Sequence, residues 1–426
     1  MNPEIQKSLR HNTIVNILEG AFFGLAMGFA SFVTILPLYV RTLTSSAILI
    51  GLIPAIHSVG WHLPQLFTAR QVARQKQYKP MVLFWTIQER LPFLILALAA
   101  WSMPRIGIQS TLWITFILLI WQGLGSGLTA TPWQSMIAKI IPGERRGTFL
   151  GTQTAAANLL ASLGAVTAGY ILKQKESPLD FTLCFLIAST AMVVSFLILA
   201  QTREPDTIPD ELHDSMSDYW SYLGQILRRD RRFRWFLIAR MISQIAIMGS
   251  AFYTVFAVSQ HGASELSVGW MTALLLAVQI FTNPLMGWLG DRWSHRGVME
   301  IGLLAAILSC LLAWKAPNPN WFYLVFALFG IANTAVWTIG IAMIMKFGND
   351  TERPYYIGLA NTLVAPATIL APFLGGWLAD LGGYPAAFLA SAAGGVAAML
   401  IFHWLVRDPS PLPLSVLEKE VGSAGD

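Results

Sequence analysis

The sequence is poor in charge: Lys, Arg, Asp and Glu together make up 12% of its 426 residues, about half the share found in a soluble domain. A soluble fold of this length could not solvate its surface with so few charges. Cysteine is scarce too, since Cys184 and Cys310 are the two present, each inside an apolar run. A disulfide framework or a cysteine metal site is therefore disfavoured.

Motifs of catalysis are missing as well. The chain contains no G-x-x-x-x-G-K-[ST] nucleotide-binding loop, no nucleophile elbow and no H-E-x-x-H pair. ATP-driven pumping by this chain alone and enzymatic catalysis therefore lack support. We predict a protein that is not an enzyme and that holds no cofactor and no metal.

Long apolar runs are what the sequence has in abundance. Residues of the AVILMFWYC set account for 55% of the chain, and about 20 apolar residues in a helix cross a bilayer. Four runs lack any Lys, Arg, Asp or Glu: Thr111–Ala138, Gly147–Leu172, Leu266–Gly290 and Pro354–Ala379. The breaks between runs predict an all-α integral membrane protein with twelve transmembrane helices, beginning near residues 13, 44, 80, 109, 147, 179, 234, 265, 298, 319, 354 and 384.

Basic residues are concentrated in alternate loops. One side has Lys7, Arg10, Arg70, Arg74, Lys76, Lys79, Lys139, Arg145, Arg146, the run 228–234, Arg292, Arg296, Lys346, Arg353 and Arg407, and the other has Arg41, Arg105, Lys173, Lys175 and Lys315. The positive-inside rule places both termini in the cytoplasm of a multi-pass cell-membrane protein. The net charge of +5 lies mostly in these loops, so nucleic acid is not an expected partner. The polar stretch 1–12 does not resemble a cleavable signal.

One long connection divides the chain. It is acidic first and basic at its end, with apolar residues at helical spacing: Met216, Tyr219, Trp220, Leu223, Ile226 and Leu227. This pattern indicates an amphipathic helix on the cytoplasmic membrane surface, anchored to anionic lipid, or a simple tether between halves. The expected parts are an N-terminal six-helix bundle (1–201), a cytoplasmic linker (202–232), a C-terminal six-helix bundle (233–407) and a cytoplasmic tail (408–426).

The two halves align on each other with small residues in register. An offset of 207 places Arg146 on Arg353, Gly151 on Gly358 and Gly169 on Gly376. An offset of 221 places Gly28 on Gly249. We infer a duplicated six-helix unit.

The segment GWLGDRWSHRG, from Gly287 to Gly297, carries the most specific motif. It resembles the G-x-L-a-D-r-x-G-r-r loop of the major facilitator superfamily, and the resemblance covers nearly the whole chain. It implies two pseudo-symmetric six-helix bundles, with Gly287, Asp291, Arg292 and Arg296 in a latch. The segment from Pro142 to Gly147, with Arg146, resembles the family's loop between spans four and five, and Arg353 lies at the matching place in the second half.

Departures from the family pattern lie mainly in the first half. The corresponding loop from Pro64 to Lys76 keeps basic residues but lacks the glycine and the aspartate. Leu119 stands where the family's span-four arginine is associated with proton coupling. The family's G-P-x-x-G-G antiporter element is absent from span five, and a partial form, Pro372 to Gly376, lies in span eleven.

Charges inside the spans are costly, so they are candidate working residues. They are Glu19 in span one, Glu89 and Arg90 in span three, and Arg240 in span seven. At an offset of 221, Glu19 matches Arg240, roughly 10 Å from the cytoplasmic surface. We predict that the two meet across the halves when the cytoplasmic side is closed. The alternative pairs Glu19 with Arg90 inside the first half, and span three, peripheral in the family, favours a structural role for Glu89 and Arg90.

Uncharged polar residues mark a candidate substrate cavity, although amides inside spans also serve as interhelical contacts. The set comprises Gln122, Asn158, Gln244, Asn283, Asn333 and Asn361, flanked by Trp133 and Trp337. His57, His62 and His403 are further candidates for carrying protons. This charge-poor, aromatic set favours a neutral or amphipathic solute.

These features together predict a secondary transporter that works by alternating access as a monomer in the lipid bilayer, with protons as a candidate coupling ion. Export of an amphipathic compound is favoured slightly over nutrient uptake. A membrane sensor or assembly protein of the same fold, without transport, is the alternative from another class.

Overall fold

The computed structural model describes residues 3–174, 177–206 and 216–406, and within these ranges it contains helices and no strand. The expected tail 408–426, residues 207–215 of the linker, Lys175 and Arg407 lie outside the described residues. The helices are α1 Pro3–Phe29, α2 Ile35–Leu43, α3 Ala47–His62, α4 Gln65–Ala73, α5 Lys79–Ile106, α6 Ile108–Ile140, α7 Arg146–Gln174, α8 Leu179–Leu199, α9 Met216–Arg229, α10 Arg231–Met248, α11 Ser250–His261, α12 Glu265–Arg292, α13 His295–Lys315, α14 Trp321–Thr334, α15 Gly340–Ile344 and α16 Arg353–Trp404.

Twelve spans follow from these helices, as predicted. Within the described ranges, ten helical stretches are long and apolar enough to cross a membrane. Two more come from breaks in the helical rod. Span two is divided between α3 and α4 around Pro64. The stretch called α16 is two spans, because Gly382 and Gly383 leave helical geometry and Gly383 has a φ of +73°, a value that suits glycine.

The spans form two bundles. In the first half (α1–α8), α1 packs on α7 and α8, and α5 packs on α6. In the second half (α10–α16), α10 and α13 pack on α16. The halves meet along two seams, α7 with α12 and α4 with α16. We call the side where α1 begins and α16 ends the terminal face, and the other side the distal face.

The linker helix α9 lies at the terminal face, but its apolar side is covered by protein. Tyr219, Leu223 and Ile226 are buried in the same core cluster as Leu66 and Tyr355, which belong to α4 and α16. Burial raises the pKa of Tyr219, whose hydroxyl donates to the Leu66 carbonyl. The lipid-anchored interpretation of this helix is thus wrong for the described part, because protein already buries the face that lipid would have to cover.

Contacts from α9 reach both halves. Besides the bond to Leu66, Tyr222 Oη donates to Glu352 Oε1 at 2.7 Å, and Arg229 Nη2 lies 2.7 Å from the same oxygen. The bond to Glu352 raises the pKa of Arg229. The linker helix therefore bridges α4 of the first half and the start of α16 in the second half.

Candidate transport pathway and its closure

The α7–α12 seam is closed near the terminal face by contact between backbones. A Cβ on Gly287 would lie 2.1 Å from the carbonyl oxygen of Gly147, and one on Gly151 would lie 2.1 Å from that of Asn283. No side chain fits at such distances. These glycines allow the two halves to touch here.

A carboxylate fastens the same seam. Asp291 accepts hydrogen bonds from the backbone N–H of Gly147 at 2.9 Å and of Thr148 at 2.6 Å. These N–H groups belong to the first turn of α7, where the partial positive charge of a helix stabilises an anion. The motif from Gly287 to Gly297 therefore supplies a contact that joins the halves.

The other charged residues of the motif and of its related loops make different contacts. Arg292 is exposed over the Trp288 ring, and Arg296 Nε lies 3.2 Å from Glu300 Oε1 on its own helix. Arg146 reaches across the seam, since it donates to the Met345 carbonyl at 2.8 Å, as well as to Ile141 and Ala138. Arg353 pairs with Asp350 at 2.7 Å.

Amides close the α4–α16 seam. Asn361 Nδ2 donates to Gln65 Oε1 at 2.7 Å and to Gln134 Oε1 at 3.2 Å. The three side chains are at most 1% exposed, and Gln65 and Gln134 belong to the first half. Thr362 adds two bonds, to the His62 carbonyl and from the Leu66 N–H. Gln65 and Gln134 were missed from the sequence. Gln134 lies inside span four and carries the signal that singled out Asn361, whereas Gln65 lies in the segment that the sequence indicated as a loop.

Arg240 lies on the second-half side of this amide cluster. It is 3% exposed, and its Nη1 donates to Asn361 Oδ1 at 3.1 Å and to the Ala360 carbonyl at 3.2 Å. Its Nε has no hydrogen-bond partner. Among the described residues it forms no ion pair.

Glu19 is paired inside the first half. Its Oε1 accepts from Arg90 Nη2 at 2.8 Å, and Ser195 Oγ lies 3.1 Å from the same oxygen. The predicted Glu19–Arg240 contact is therefore wrong for this closed terminal face, and the alternative pair with Arg90 is observed. The matching depths in the aligned halves did not reveal that Arg90, on span three, reaches span one.

Glu89 is a second buried carboxylate in this region. It is 7% exposed, and its hydroxyl neighbours are Ser126 and Thr86, whose Oγ1 lies 3.5 Å from Oε2. Glu19, Glu89 and Arg90 thus form a group of two acids and one base inside the first half.

The remaining amides of the candidate cavity have separate surroundings. Gln122 Oε1 lies 3.0 Å from His57 Nδ1. Asn158 Nδ2 donates across the α7–α12 seam to Gln279 Oε1 at 3.4 Å. Asn283 Oδ1 accepts from Thr338 at 2.5 Å. Gln244 bonds to a carbonyl of its own helix.

Asn333 is half-buried and forms no hydrogen bond within the described residues. Trp133 packs against a core cluster at the terminal face that contains residues of both halves, among them Phe149 and Met345. Trp337 instead faces the first half, with its ring centroid 6.2 Å from that of Trp61 and 6.5 Å from that of His62. A π-helix, Ala335–Ile339, carries Trp337, and such bulges are frequent at functional sites.

His403 lies outside the pathway. Its Nδ1 is 3.3 Å from Glu300 Oε2, and more than half of its side-chain surface is exposed near the end of α16. A proton pathway between the halves does not include it in this conformation.

Toward the distal face no hydrogen bond joins the halves among the described residues. Between residues 154 and 174 of α7, the buried residues are Gly164 and Ala168, and Val166 is 75% exposed. In α16, Phe373 is 72% exposed. Each of these helices is packed along one side only, while its terminal-face end is buried against the other half. The hydrogen bonds described between the halves therefore lie toward the terminal face and as far as Asn158 in the middle of α7.

The comparisons with known proteins agree with this architecture. The family model "Major Facilitator Superfamily" matches residues 18–262 and 240–424. The chain therefore belongs to the Major Facilitator Superfamily, as the motif predicted.

Relatives of known name match shorter stretches. The vesicular acetylcholine transporter unc-17 of Caenorhabditis elegans is 33% identical over 128 residues, which are 29% of this chain and 24% of that protein. The chain thus spans about a quarter of the first curated relatives that it matches. Multidrug resistance protein 1 of Bacillus subtilis is 27% identical over 150 residues, 35% of this chain and 38% of that protein.

A solved structure extends the likeness over the full fold. The fucose:proton symporter of E. coli superposes with a TM-score of 0.73 over 93% of this chain and 98% of that one, at 16% identity. At this identity the likeness concerns the fold, which has the same twelve-helix arrangement.

Proposed function

We propose that the chain exports a small amphipathic solute by alternating access. One observation carries the proposal: the hydrogen bonds that join the halves lie toward the terminal face and the middle of the spans, and none is described toward the distal face. The seal consists of a few hydrogen bonds and one helix-end carboxylate, which are weak enough to break and reform during rocking.

The orientation and the division of the chain are part of the proposal. The bias of Lys and Arg toward the terminal face favours a cytoplasmic location for that face, in the cell membrane. Bundles 1–201 and 233–407 are the two rocking bodies of a monomer, with 202–232 as the linker. Export is supported by the likeness to Multidrug resistance protein 1 over 150 residues.

Proton coupling is assigned to Glu89. The first-half interior holds two carboxylates, and Arg90 is bonded to Glu19 at 2.8 Å. Glu89 has the hydroxyls of Ser126 and Thr86 as neighbours and forms no ion pair among the described residues. A carboxyl group inside a span without such a partner is a candidate site for binding and releasing a proton. Glu89→Gln should abolish stimulation by a pH gradient while leaving exchange without a gradient intact, and Glu300→Gln on the periphery is the control.

Reconstituted vesicles test the function directly. Vesicles loaded with a panel of metabolites and amphipathic drugs, with and without a pH gradient, should release at least one amphipathic compound faster than protein-free vesicles. Accumulation of a nutrient instead would establish uptake. Absence of flux for every compound would contradict transport and favour the sensor, and flux indifferent to the gradient would remove the proton-coupled form.

A further inference from the structure

Four arginines of the described chain are buried, and they differ in how their charge is compensated. Arg90 is paired with Glu19, and Arg353 with Asp350. Arg146, the first residue of α7, bonds to three carbonyls where the helix meets the terminal face. Arg240 lies ten residues into α10 and has two neutral acceptors. It is the buried arginine within a span that lacks a carboxylate among the described residues.

The carboxylates of the spans do not serve Arg240. Glu19 is bonded to Arg90 in the other half, and Glu89 contacts the hydroxyls of Ser126 and Thr86. The groups that surround Arg240 are neutral amides and carbonyls, and His62 follows in the next layer through its carbonyl bond to Thr362. The second-half side of the pathway therefore carries an uncompensated positive charge.

A charge is not needed for the bonds that Arg240 makes. An uncharged donor such as glutamine could serve one of the neutral acceptors without the cost of placing a cation within a membrane span. Arg240 nevertheless places a cation in the span, and its Nε lacks a hydrogen-bond partner. A Cβ on Gly340, which follows the π-helix, would lie 3.8 Å from this Nε. The free N–H of Arg240 thus borders the segment that carries Trp337.

Aromatic rings lie beside this charge. Trp61 and His62 of the first half face Trp337 of the second, with ring centroids 6.2 and 6.5 Å apart. A ligand with an apolar body and one anionic end matches a site of this composition, because the rings cover the body and a guanidinium binds a carboxylate through two parallel hydrogen bonds.

We propose that Arg240 binds the negative charge of the substrate, an amphipathic organic carboxylate whose apolar part packs against Trp61 and Trp337. The proposal deepens the function proposed above and rests on it. It replaces the neutral solute that the sequence allowed with a monoanion.

Binding at Arg240 has a consequence for the seal. Asn361 holds Gln65 and Gln134 through its Nδ2 while Arg240 holds its Oδ1. A carboxylate that binds through Nη1 and Nη2 competes with Asn361 Oδ1 for the Nη1 donor. The amide cluster then loses the group that fixes its orientation, so substrate binding weakens the closure at the terminal face.

A matched ligand series tests the proposal without knowledge of the natural substrate. The probes are 3-phenylpropionate, its amide and the corresponding amine, which share a body and differ in charge. Binding is measured by tryptophan fluorescence and thermal shift on the purified full chain. Wild-type protein should bind the carboxylate at least about tenfold more tightly than the amide, in line with a bidentate charged contact.

Variants of Arg240 test whether this residue is the source of the preference for the carboxylate. Arg240→Gln should remove the discrimination between carboxylate and amide, and Arg240→Lys, which keeps the charge without the fork, should retain part of it. Arg105→Gln, another arginine beside a tryptophan, at 5.0 Å from the Trp101 ring centroid, should leave it unchanged. Elution as a single monodisperse species verifies the fold of each variant.

Two results would overturn the proposal: equal binding, or no binding, of carboxylate and amide in the wild type, or a preference that survives Arg240→Gln. Failure of the underlying function is distinguishable. A protein that discriminates the probes but moves no solute in vesicles would retain the anion site and lose the transport proposal.

Discussion

Glu19 and Arg240 occupy matching positions of the two halves, and their surroundings differ. Glu19 meets a cation of its own half at 2.8 Å, with Ser195 beside it. Arg240 meets only neutral oxygen atoms. The two halves thus carry a charged residue at the same depth, but the charge has a different role in each half. In the first half the charge holds helices together, whereas in the second it is available to a ligand.

The two seams show a similar contrast. The second-half motif fastens α12 to α7 with the Asp291 carboxylate and with backbone contact at Gly147. The first-half loop, which lacks the aspartate, fastens α4 to α16 with neutral amides. One seam is electrostatic and the other is built from dipoles, so substitutions should affect them to different extents.

The largest effect is expected from Gly151→Ala. Its Cβ would lie 2.1 Å from the Asn283 carbonyl, and overpacking of this kind costs about 1–3 kcal/mol, or about five- to 150-fold in the population of the closed state. Transport should fall accordingly. Gly169→Ala, on the same helix with open space around it, is the control. Equal activity of the two variants would show that the seam does not close during transport.

Gly358→Ala sharpens the same comparison in the second half. There a Cβ would lie 2.9 Å from the Ala69 Cβ and 3.2 Å from the Gln65 carbonyl. The conflict is milder than at Gly151, so transport should be reduced less. Gly376→Ala, again in open space, should be neutral. A larger loss at Gly358 than at Gly151 would reverse the proposed order of the seams.

Asn361→Ala should open the amide seam. It removes two donors and one acceptor from buried groups, which weakens the closed state by about 2 kcal/mol. Spin labels at the exposed residues Lys76 and Arg292 should then show a larger share of long distances. The buried native cysteines do not compete for the label. Asn333→Ala, which loses no bond, is matched to it, and an unchanged distance in both would contradict a closing role for the cluster.

Asp291→Asn should have a smaller effect on the electrostatic seam. The amide still accepts from Gly147, but the favourable charge at the end of α7 is lost, at a cost of about 1 kcal/mol. The control is Arg292→Gln, so position 292 cannot also carry a spin label. For both variants the labels are therefore placed at Lys76 and at the exposed Asn349. Arg292→Gln should match wild type, and a shift as large as that of Asp291→Asn would implicate net charge rather than the helix end.

Tyr219→Phe should have the smallest effect. It keeps the ring in the core and removes the bond to the Leu66 carbonyl, a loss of about 1 kcal/mol. The midpoint of thermal unfolding should fall slightly. Trp220→Leu on the exposed side of α9 should leave it unchanged, and the reverse order would favour a lipid contact for this helix.

Much of the fold could be predicted from the sequence because the bilayer fixes the length and polarity of each span. The repeat was also visible in the glycines. Gly151 and Gly358 both contact the opposite half, and Gly169 and Gly376 both face open space. A small residue is required where two backbones come close together. The aligned glycines in the sequence therefore indicated these contacts.

The partners of the polar residues could not be predicted in the same way. An offset aligns depths along the membrane, but it does not fix the direction of a side chain around its helix axis. The sequence therefore identified Arg90 as a charged residue inside a span and as an alternative partner of Glu19. It could not show that Glu19 pairs with Arg90 rather than with Arg240. Gln65 was not predicted because it is the first residue of α4. The sequence indicated a loop there, in which the absence of the family's aspartate was the main feature.

The most direct test of the unequal halves is a comparison of thermal unfolding between Arg90→Gln and Arg240→Gln. Arg90→Gln leaves Glu19 buried without its cation and should destabilise the protein by about 3 kcal/mol. Arg240→Gln removes an uncompensated charge and should unfold at the temperature of wild type or above it. A loss of stability for Arg240→Gln as large as that for Arg90→Gln would contradict the account, because it would mean that both charges serve the fold.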